Sequence, residues 1–435
     1  MSGMDFEQLI GANDSGVVQI RRDLHRHPEL AFLEYRTASK AAAFLDRLGW
    51  KVKAGPEVMD ASVMVNPPSE AEVKAAQTQA LAEGAPAEWV ARMPGGQTGV
   101  VAELSRGEGP VVAFRFDMDA LPVEETGADS HQPNREGYRS THPGVMHACG
   151  HDGHTAMGLA LAARLAHPSA RWQGRVKLIF QPAEEGGRGA KPMVAAGVVD
   201  DVDHLFVGHL GCLLPSGQVA PVATDFLYSS KIDATFTGQG AHAAMGPQEG
   251  RNALLAGAAA ALGLHGITRY ADATTFVNVG VMRAGSGRNV VAEQCHLMLE
   301  VRGSTEEALD FMRKRAREVL EGAAAMQGVS LTMEDMGGTI GFTPSEAAAA
   351  TVAEVASGTE GVAKVVPSWS IGGGDDATYL IKRVQELGGN ATYFMLGSDL
   401  AGIHHAADFD FDEASLWQGV DLLAGIADKL LAPAD

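Results

Sequence analysis

Six consecutive residues, Cys149-Gly150-His151-Asp152-Gly153-His154, carry the densest chemistry in this 435-residue chain. A thiol and an imidazole stand two residues apart, with a carboxylate and a second imidazole beside them. Zinc and manganese sites are built from these donor types. The two glycines let the backbone turn sharply, so several side chains can converge on one point. The bland alternative is a polar loop at the start of a helix. A second run, Gln181-Pro182-Ala183-Glu184-Glu185-Gly186, closes an apolar, β-rich stretch. Its adjacent carboxylates point in different directions, so one can bind a cation while the other handles protons. Taken alone it reads equally well as a solvated charge pair. Gly208-His209 closes another apolar stretch, and His404-His405 lies in a loop ahead of Asp408-Phe409-Asp410. A lone His is more often structural than a ligand. Four such groups that together supply Cys, His and carboxylate fit a metal centre better than four unrelated loops.

The elements around these runs determine whether they can meet. Residues 14–48 read as two helices, with Gly49 as a stop. A strand is expected from Trp50. The stretch 56–96, with Pro67-Pro68 and a helix capped by Ser69, reads as an excursion from the main fold. Residues 98–104 and 111–116 read as adjacent strands separated by Gly107, Gly109 and Pro110. Helix (152–165), strand (176–180), helix (190–196) and strand (204–207) then alternate. This rhythm predicts an α/β fold, a mostly parallel sheet flanked by helices. Ligands gather at the carboxyl ends of such strands, where the candidate residues fall. Past Pro221 the rhythm becomes β-α-β-β-α-β, with strands at 231–237, 277–281, 296–302 and 329–333. That order is ferredoxin-like. We therefore expect a discontinuous catalytic domain, 1–225 and 338–435, interrupted by an α+β domain at 226–337.

Composition narrows the function classes. Carboxylates outnumber Lys and Arg, 54 to 34, for a net charge of −20. So acidic a chain is unsuited to nucleic acid or an anionic membrane, since phosphate affinity needs a positive footprint. The three cysteines, an odd number at scattered positions, exclude a disulfide scaffold. Cys212 and Cys295 read as buried small hydrophobes. Met1 to Ile10 shows no secretory pattern, and the most apolar stretch, 253–264, is too short to span a bilayer. A cytoplasmic location is expected. Gly372-Gly373-Gly374-Asp375-Asp376 lacks the strand–loop–Lys context of a phosphate loop.

Across essentially its whole length the chain resembles the M20 group of metal-dependent amidohydrolases and peptidases. The likeness is to the branch that holds hippurate and indole-acetyl-amino-acid hydrolases, and within it to the aminobenzoyl-glutamate-cleaving subgroup. It rests on Arg21 to Glu29, Phe114-Arg115-Phe116-Asp117-Met118-Asp119-Ala120-Leu121-Pro122, Cys149 to His154, Gln181 to Glu185, Gly240-Ala241-His242-Ala243-Ala244-Met245 and Gly287-Arg288-Asn289-Val290-Val291. The excursion and Asp408-Phe409-Asp410-Phe411-Asp412-Glu413 match the subgroup.

The resemblance implies two divalent metal ions, Mn2+ or Zn2+, held by Cys149, His151, Glu185, His209 and His405, with Cys149 as the bridge. His405 is preferred to His404 because it matches the family's ligand position. Glu184 would be the general base. His242 would reach a tetrahedral oxyanion across a homodimer interface, and Asn289 and Arg302 would contact substrate. Asp119, Asp152 and His154 would support the ligands, while Asp117 stands where the family has a His. Arg21 to Glu29 would be structural. The implied reaction cleaves an N-acyl or N-aroyl amino acid, aminobenzoyl-glutamate first, indole-acetyl-aspartate or hippurate otherwise. The implied partners are a second copy or a related B subunit; a non-catalytic subunit on the same fold is the alternative.

Overall fold

The computed structural model describes residues 15–433. The reading of Met1 to Ile10 therefore lies outside the described residues. Two compact units emerge. The first comprises Met1–Thr224, Phe342–Ile371 and Asp376–Asp435, and the second Asp225–Gly341 with Gly372–Asp375.

The first unit is built on an eight-stranded sheet. Its strands are β1 (Lys51–Ala54), β2 (Val100–Arg106), β3 (Val111–Asp117), β4 (Gly174–Gln181), β5 (His204–Leu210) and β6 (Gln218–Ala220). The second unit contributes β7 to β10, given below, and β11 (Lys364–Val365) and β12 (Asn390–Leu396) complete the large sheet. The spatial order is β1-β2-β4-β3-β5-β12-β6-β11. The centre, β4-β3-β5-β12, is parallel throughout, with Asp117 opposite Gln181 and Leu396 opposite Leu210. These strands are apolar along nearly their whole length, as strands buried on both faces must be. The expectation that residues 98–104 and 111–116 are adjacent strands is wrong, because β4 lies between β2 and β3. The link 107–110 crosses over the start of β4. A Cβ at Gly109 would come within 2.8 Å of the Cα of Gly174, so the crossing is possible only where the chain is bare.

Helices α1 (Ser15–Arg26), α2 (Tyr35–Arg47), α3 (Glu70–Ala82) and α4 (His151–Ala166) precede the second unit in the chain. Ser69 caps α3 in a reciprocal box with Glu72, as its sequence suggests. Arg21 of α1 is fully buried. It donates to Asp152 (2.8 Å), Asp410 (2.6 Å) and Glu413 (3.1 Å), and its guanidinium lies 4.4 Å from the Phe411 ring. It thus ties α1 to the start of α4 and to the C-terminal segment. Removing it strands buried carboxylates without a counter-charge. Arg21→Met should lower the unfolding free energy by about 3–5 kcal/mol, measured by urea denaturation at neutral pH. An unchanged midpoint would show that the cluster carries no such weight.

The second unit runs β7 (Tyr228–Thr237), α5 (Ala253–His265), β8 (Thr275–Ala284), β9 (Gln294–Gly303), α6 (Glu306–Gln327) and β10 (Ser330–Asp335). Its sheet, ordered β10-β7-β9-β8, is antiparallel throughout. This is the ferredoxin-like arrangement that the strand and helix order predicts. Asn252 and Thr305 cap α5 and α6 with their side chains. No helix among the described residues is long and apolar enough to cross a membrane.

Candidate metal centre

Because β3, β4, β5 and β12 are parallel, their carboxyl ends share one edge of the sheet. Asp117 ends β3, Glu184-Glu185 follow β4, His209 lies near the end of β5, and His404-His405 follow β12. The fifth contribution, Cys149 and His151, sits at the start of α4. Gly150, the residue before that helix, has φ +91°, and a Cβ there would press within 3.0 Å of Leu210. Glycine therefore lets the chain reverse against β5 and brings Cys149 and His209 together.

Several groups of potential ligand atoms converge here, each drawn within 4.8 Å, and two of them consist of residues of the implied set: Cys149, His151 and His209, and Cys149, Glu185 and His405. Cys149 belongs to both. Its Sγ lies 3.6 Å from Nε2 of His209, and Nε2 of His405 lies 3.4 Å from Oε1 of Glu185. The tautomers suit cation binding. Nδ1 of His151 donates to the carbonyl of Asp119 (2.9 Å), and Nδ1 of His209 donates to the carbonyl of Leu210 (2.8 Å). Each ring is thereby left with its Nε2 lone pair directed inward, the usual outer-contact pattern of a metal-binding His. Nε2 of His151 and Oε1 of Glu185 are buried without a hydrogen-bond partner. Buried orphan acceptors are costly unless something compensates them, and a divalent cation would. This donor set fits the implied ions.

The carboxylate pair is held by its backbone. Ala183 adopts φ +51°, a conformation that L-residues seldom take. The turn aims two consecutive amides at Asp119: Glu184 N–H reaches Oδ1 at 3.1 Å and Glu185 N–H reaches Oδ2 at 2.9 Å. Glu184 Oε2 then lies 3.9 Å from Nε2 of His151. Asp119 thus clamps the segment that carries both carboxylates, and its carbonyl orients His151. Asp119→Asn can accept only one of the two amides. It should lower kcat/KM by about 10–100-fold while the fold persists, checked by steady-state kinetics alongside circular dichroism. Behind the clamp, Glu34 accepts from Ala183 N–H (2.8 Å) and Thr98 Oγ1 (2.5 Å). Burial, then the charge of Asp119, pushes its carboxyl up to about 8. Glu34 lies far away in sequence and carries no signal there.

The protein's own electrostatics match a cation. Burial, followed by Glu185 and Glu184, pushes the Cys149 thiol well up. Burial holds the His209 ring well down. For His151, burial pulls down, but Asp117 and Asp119 outweigh it and raise the ring to about 10. These carboxylates favour positive charge at Nε2 of His151, the place a cation would take in exchange for a proton. A cation would replace that proton and favour the thiolate, because metal binding and deprotonation are linked.

Other candidates fall in different places. Both nitrogens of His154 are engaged: Nδ1 bonds Asp117 Oδ1 (2.6 Å) and Nε2 accepts from Leu210 N–H (3.1 Å). That leaves it no lone pair for a metal. Asp152 does not touch the ligands. One position on in the helix from His151, it points to Arg21 and His25 (both at 2.8–2.9 Å), so the expectation that it orients a ligand is corrected. Asp117, left in doubt by the sequence, is buried 3.7 Å from His151 Nε2 and paired with Arg115 (2.5 Å). Its place at a parallel-strand end is the signal for it. Cys212 is no inert core residue. It has φ +48°, its Sγ lies 3.7 Å from His209 Nδ1, and its N–H donates to His404 Nε2 (2.9 Å). A reversal of the chain right after β5 puts it there. Cys295 is buried as expected.

His242, Asn289 and Arg302 belong to the second unit. The first two are neighbours: Ala243 N–H donates to Asn289 O (2.9 Å), and His242 bridges to Val290. His242 is exposed, and its Nδ1 accepts from the amides of Ala244 (3.2 Å) and Met245 (3.1 Å), leaving Nε2 to face outward. Arg302 is not with them. It lies at the far end of β9, eight residues from Gln294, which is about 25 Å at the rise of a strand, and pairs with Glu300 at 2.9 Å.

Strand-end carboxylates, imidazoles and a thiol converging on one point form a candidate metal centre of the kind hydrolytic enzymes use. Residues 113–429 match the model of peptidase family M20/M25/M40, and the chain belongs to that family. It is an amidohydrolase. It is 45% identical over 410 residues to the indole-3-acetyl-aspartic acid hydrolase of Enterobacter agglomerans, covering 94% of each chain. It is 44% identical over 409 residues to one of the subunits of p-aminobenzoyl-glutamate hydrolase from Escherichia coli K12, again covering 94% of each. Among solved structures, an aminobenzoyl-glutamate utilization protein from Klebsiella pneumoniae superposes with a TM-score of 0.82 at 38% identity, covering 98% of both chains.

Proposed function

We propose that this enzyme hydrolyses the amide of an N-aroyl amino acid, with p-aminobenzoyl-glutamate, giving aminobenzoate and glutamate, as the first substrate. The observation that carries the reading is Cys149 shared between two ligand groups, with Glu184 beside His151. Cys149, His151, Glu185, His209 and His405 would hold two divalent ions, Mn2+ or Zn2+, with Cys149 as the shared ligand. Bound there, the ions would acidify water and polarise the amide carbonyl. Glu184 is the group placed to take the water's proton and hand it to the departing amine. Asp119 keeps Glu184 in reach. Arg302 suits the substrate carboxylate, since a guanidinium binds it bidentately. Asn289 contacts the amide, and His242 offers Nε2–H to the developing oxyanion.

His242 with Asn289 lies near one end of a sheet and Arg302 at the other end. That separation supports a homodimer. A related B subunit is the alternative partner, since the E. coli relative is itself named as one subunit of its hydrolase. We place the enzyme in the cytoplasm, in keeping with its odd number of cysteines at scattered positions.

Indole-acetyl-aspartate is the second reading, favoured by the 45% identity to the hydrolase named for it. A panel of aminobenzoyl-glutamate, indole-acetyl-aspartate and hippurate, given to protein loaded with Mn2+ or Zn2+, separates the readings. Release of aminobenzoate at the highest kcat/KM is expected. Fast cleavage of another conjugate with none of aminobenzoyl-glutamate would overturn the first choice.

A further inference from the structure

Beside Glu185 the first unit opens a cleft of about 410 Å³ to which the proposed reaction assigns no role so far. Leu30 and Leu121 form one side, Pro67 and Pro68 of the excursion form part of the rim, and Arg188 lies at its margin. The wall is fixed. Leu30 and Ala120 are bridged, Ala120 N–H donates to Glu29 O (2.8 Å), and Leu121 pairs with Met146, three residues before Cys149. The rim is fixed as well. Arg188 donates to the Asn66 carbonyl (3.2 Å) and lies 5.2 Å from the Phe32 ring, and Pro68 packs on Gly96 so closely that a Cβ there would meet it at 2.8 Å. The volume lies within the usual range of small-molecule pockets.

We propose that this cleft receives the flat aromatic acyl group of the substrate, and that the excursion sets acyl specificity through Pro67 and Pro68; the proposal rests on the N-aroyl reading. The geometry favours the acyl side over the amino-acid side. Glu185 both lines the cleft and belongs to the proposed ligand set, so a flank of the amide would lie beside it. Leu30, Leu121, Pro67 and Pro68 gain by covering a ring, whereas a side-chain carboxylate would lose its water in a lining that already holds the carboxylates of Glu72 and Glu185. Arg188 gives one hydrogen bond to the Asn66 carbonyl and lies 5.2 Å from the Phe32 ring, and a guanidinium in that setting can also stack on an aryl group.

Leu121→Trp and Pro67→Trp both narrow the cleft, the second from an exposed position where the fold tolerates it. Each is assayed on p-aminobenzoyl-glutamate, acetyl-glutamate and p-aminobenzoyl-aspartate, with metal content and circular dichroism recorded. The kcat/KM ratio of aminobenzoyl-glutamate to acetyl-glutamate should fall by about tenfold or more, with the glutamate-to-aspartate ratio unchanged. In Pro67→Trp, p-aminobenzoate should quench the introduced indole. An unchanged acyl ratio would overturn the proposal, as would a shift in the glutamate-to-aspartate ratio instead, which would put the amino-acid side chain in the cleft. If Leu121→Trp fails to fold, Pro67→Trp decides. A wild-type enzyme that cleaves none of the three would refute the function itself, a different outcome from cleavage with unmoved ratios.

Discussion

Glu184→Gln should keep its bound metal and lose turnover by about 10²–10⁴-fold, the range that a positioned general base contributes. The amide side chain has nearly the carboxylate's shape, so packing is undisturbed. The backbone N–H of residue 184 still reaches Asp119, and Glu185 stays clamped by the adjacent amide. Only the ability to accept and return a proton is removed. Two measurements separate this role from others: kcat on the preferred substrate, and metal equivalents by elemental analysis. Loss of metal with loss of activity would make Glu184 a ligand. Full activity would remove it from the proton path.

Cys149→Ser should lose most of its metal, with affinity down by about 100-fold or more, the upper end of what even an outer contact costs. Cys149 is the residue common to both ligand groups, so its removal weakens two ions together. A serine hydroxyl keeps the volume but cannot supply the anionic donor. Cys149→Asp restores an anion and should recover binding in part. Burial, Glu185 and Glu184 push the thiol up, so loading the metal must expel its proton. Affinity should therefore climb with pH, and loading in weak buffer should release acid. Two tightly bound ions and full activity in Cys149→Ser would refute the shared-ligand role. A thiolate here also exposes the enzyme to oxidation, which removes the donor altogether.

Much of the site is legible in the sequence because strand-end chemistry is local. An apolar run followed by Glu184-Glu185 or His209 declares both the strand and where its end lies. The same logic points to the His404-His405 pair, of which the resemblance selects His405, and the φ of +67° at His405 with its N–H donating to Ala148 O (2.8 Å) shows how that loop is tied to the Cys149 turn. The resemblance gives Asp119 a supporting role but not its contacts, since its partners are amides 65 and 66 positions away. Asp152 misleads for a related reason. Being next to a ligand in sequence means pointing elsewhere on a helix, and here elsewhere is Arg21.

By itself the sequence determined the element types, the ferredoxin-like order of the second unit and the residue kinds a metal centre needs. Those follow from periodicity, capping and side-chain chemistry, all read within a few residues. Tertiary structure alone decided that β4 separates β2 from β3, that Glu34 and Asp117 lie near Asp119 and His151, and that Arg302 is remote from His242. Each of these depends on which distant segments pair. Strand pairing is settled by long-range burial and hydrogen bonding, which leave no mark on the local pattern.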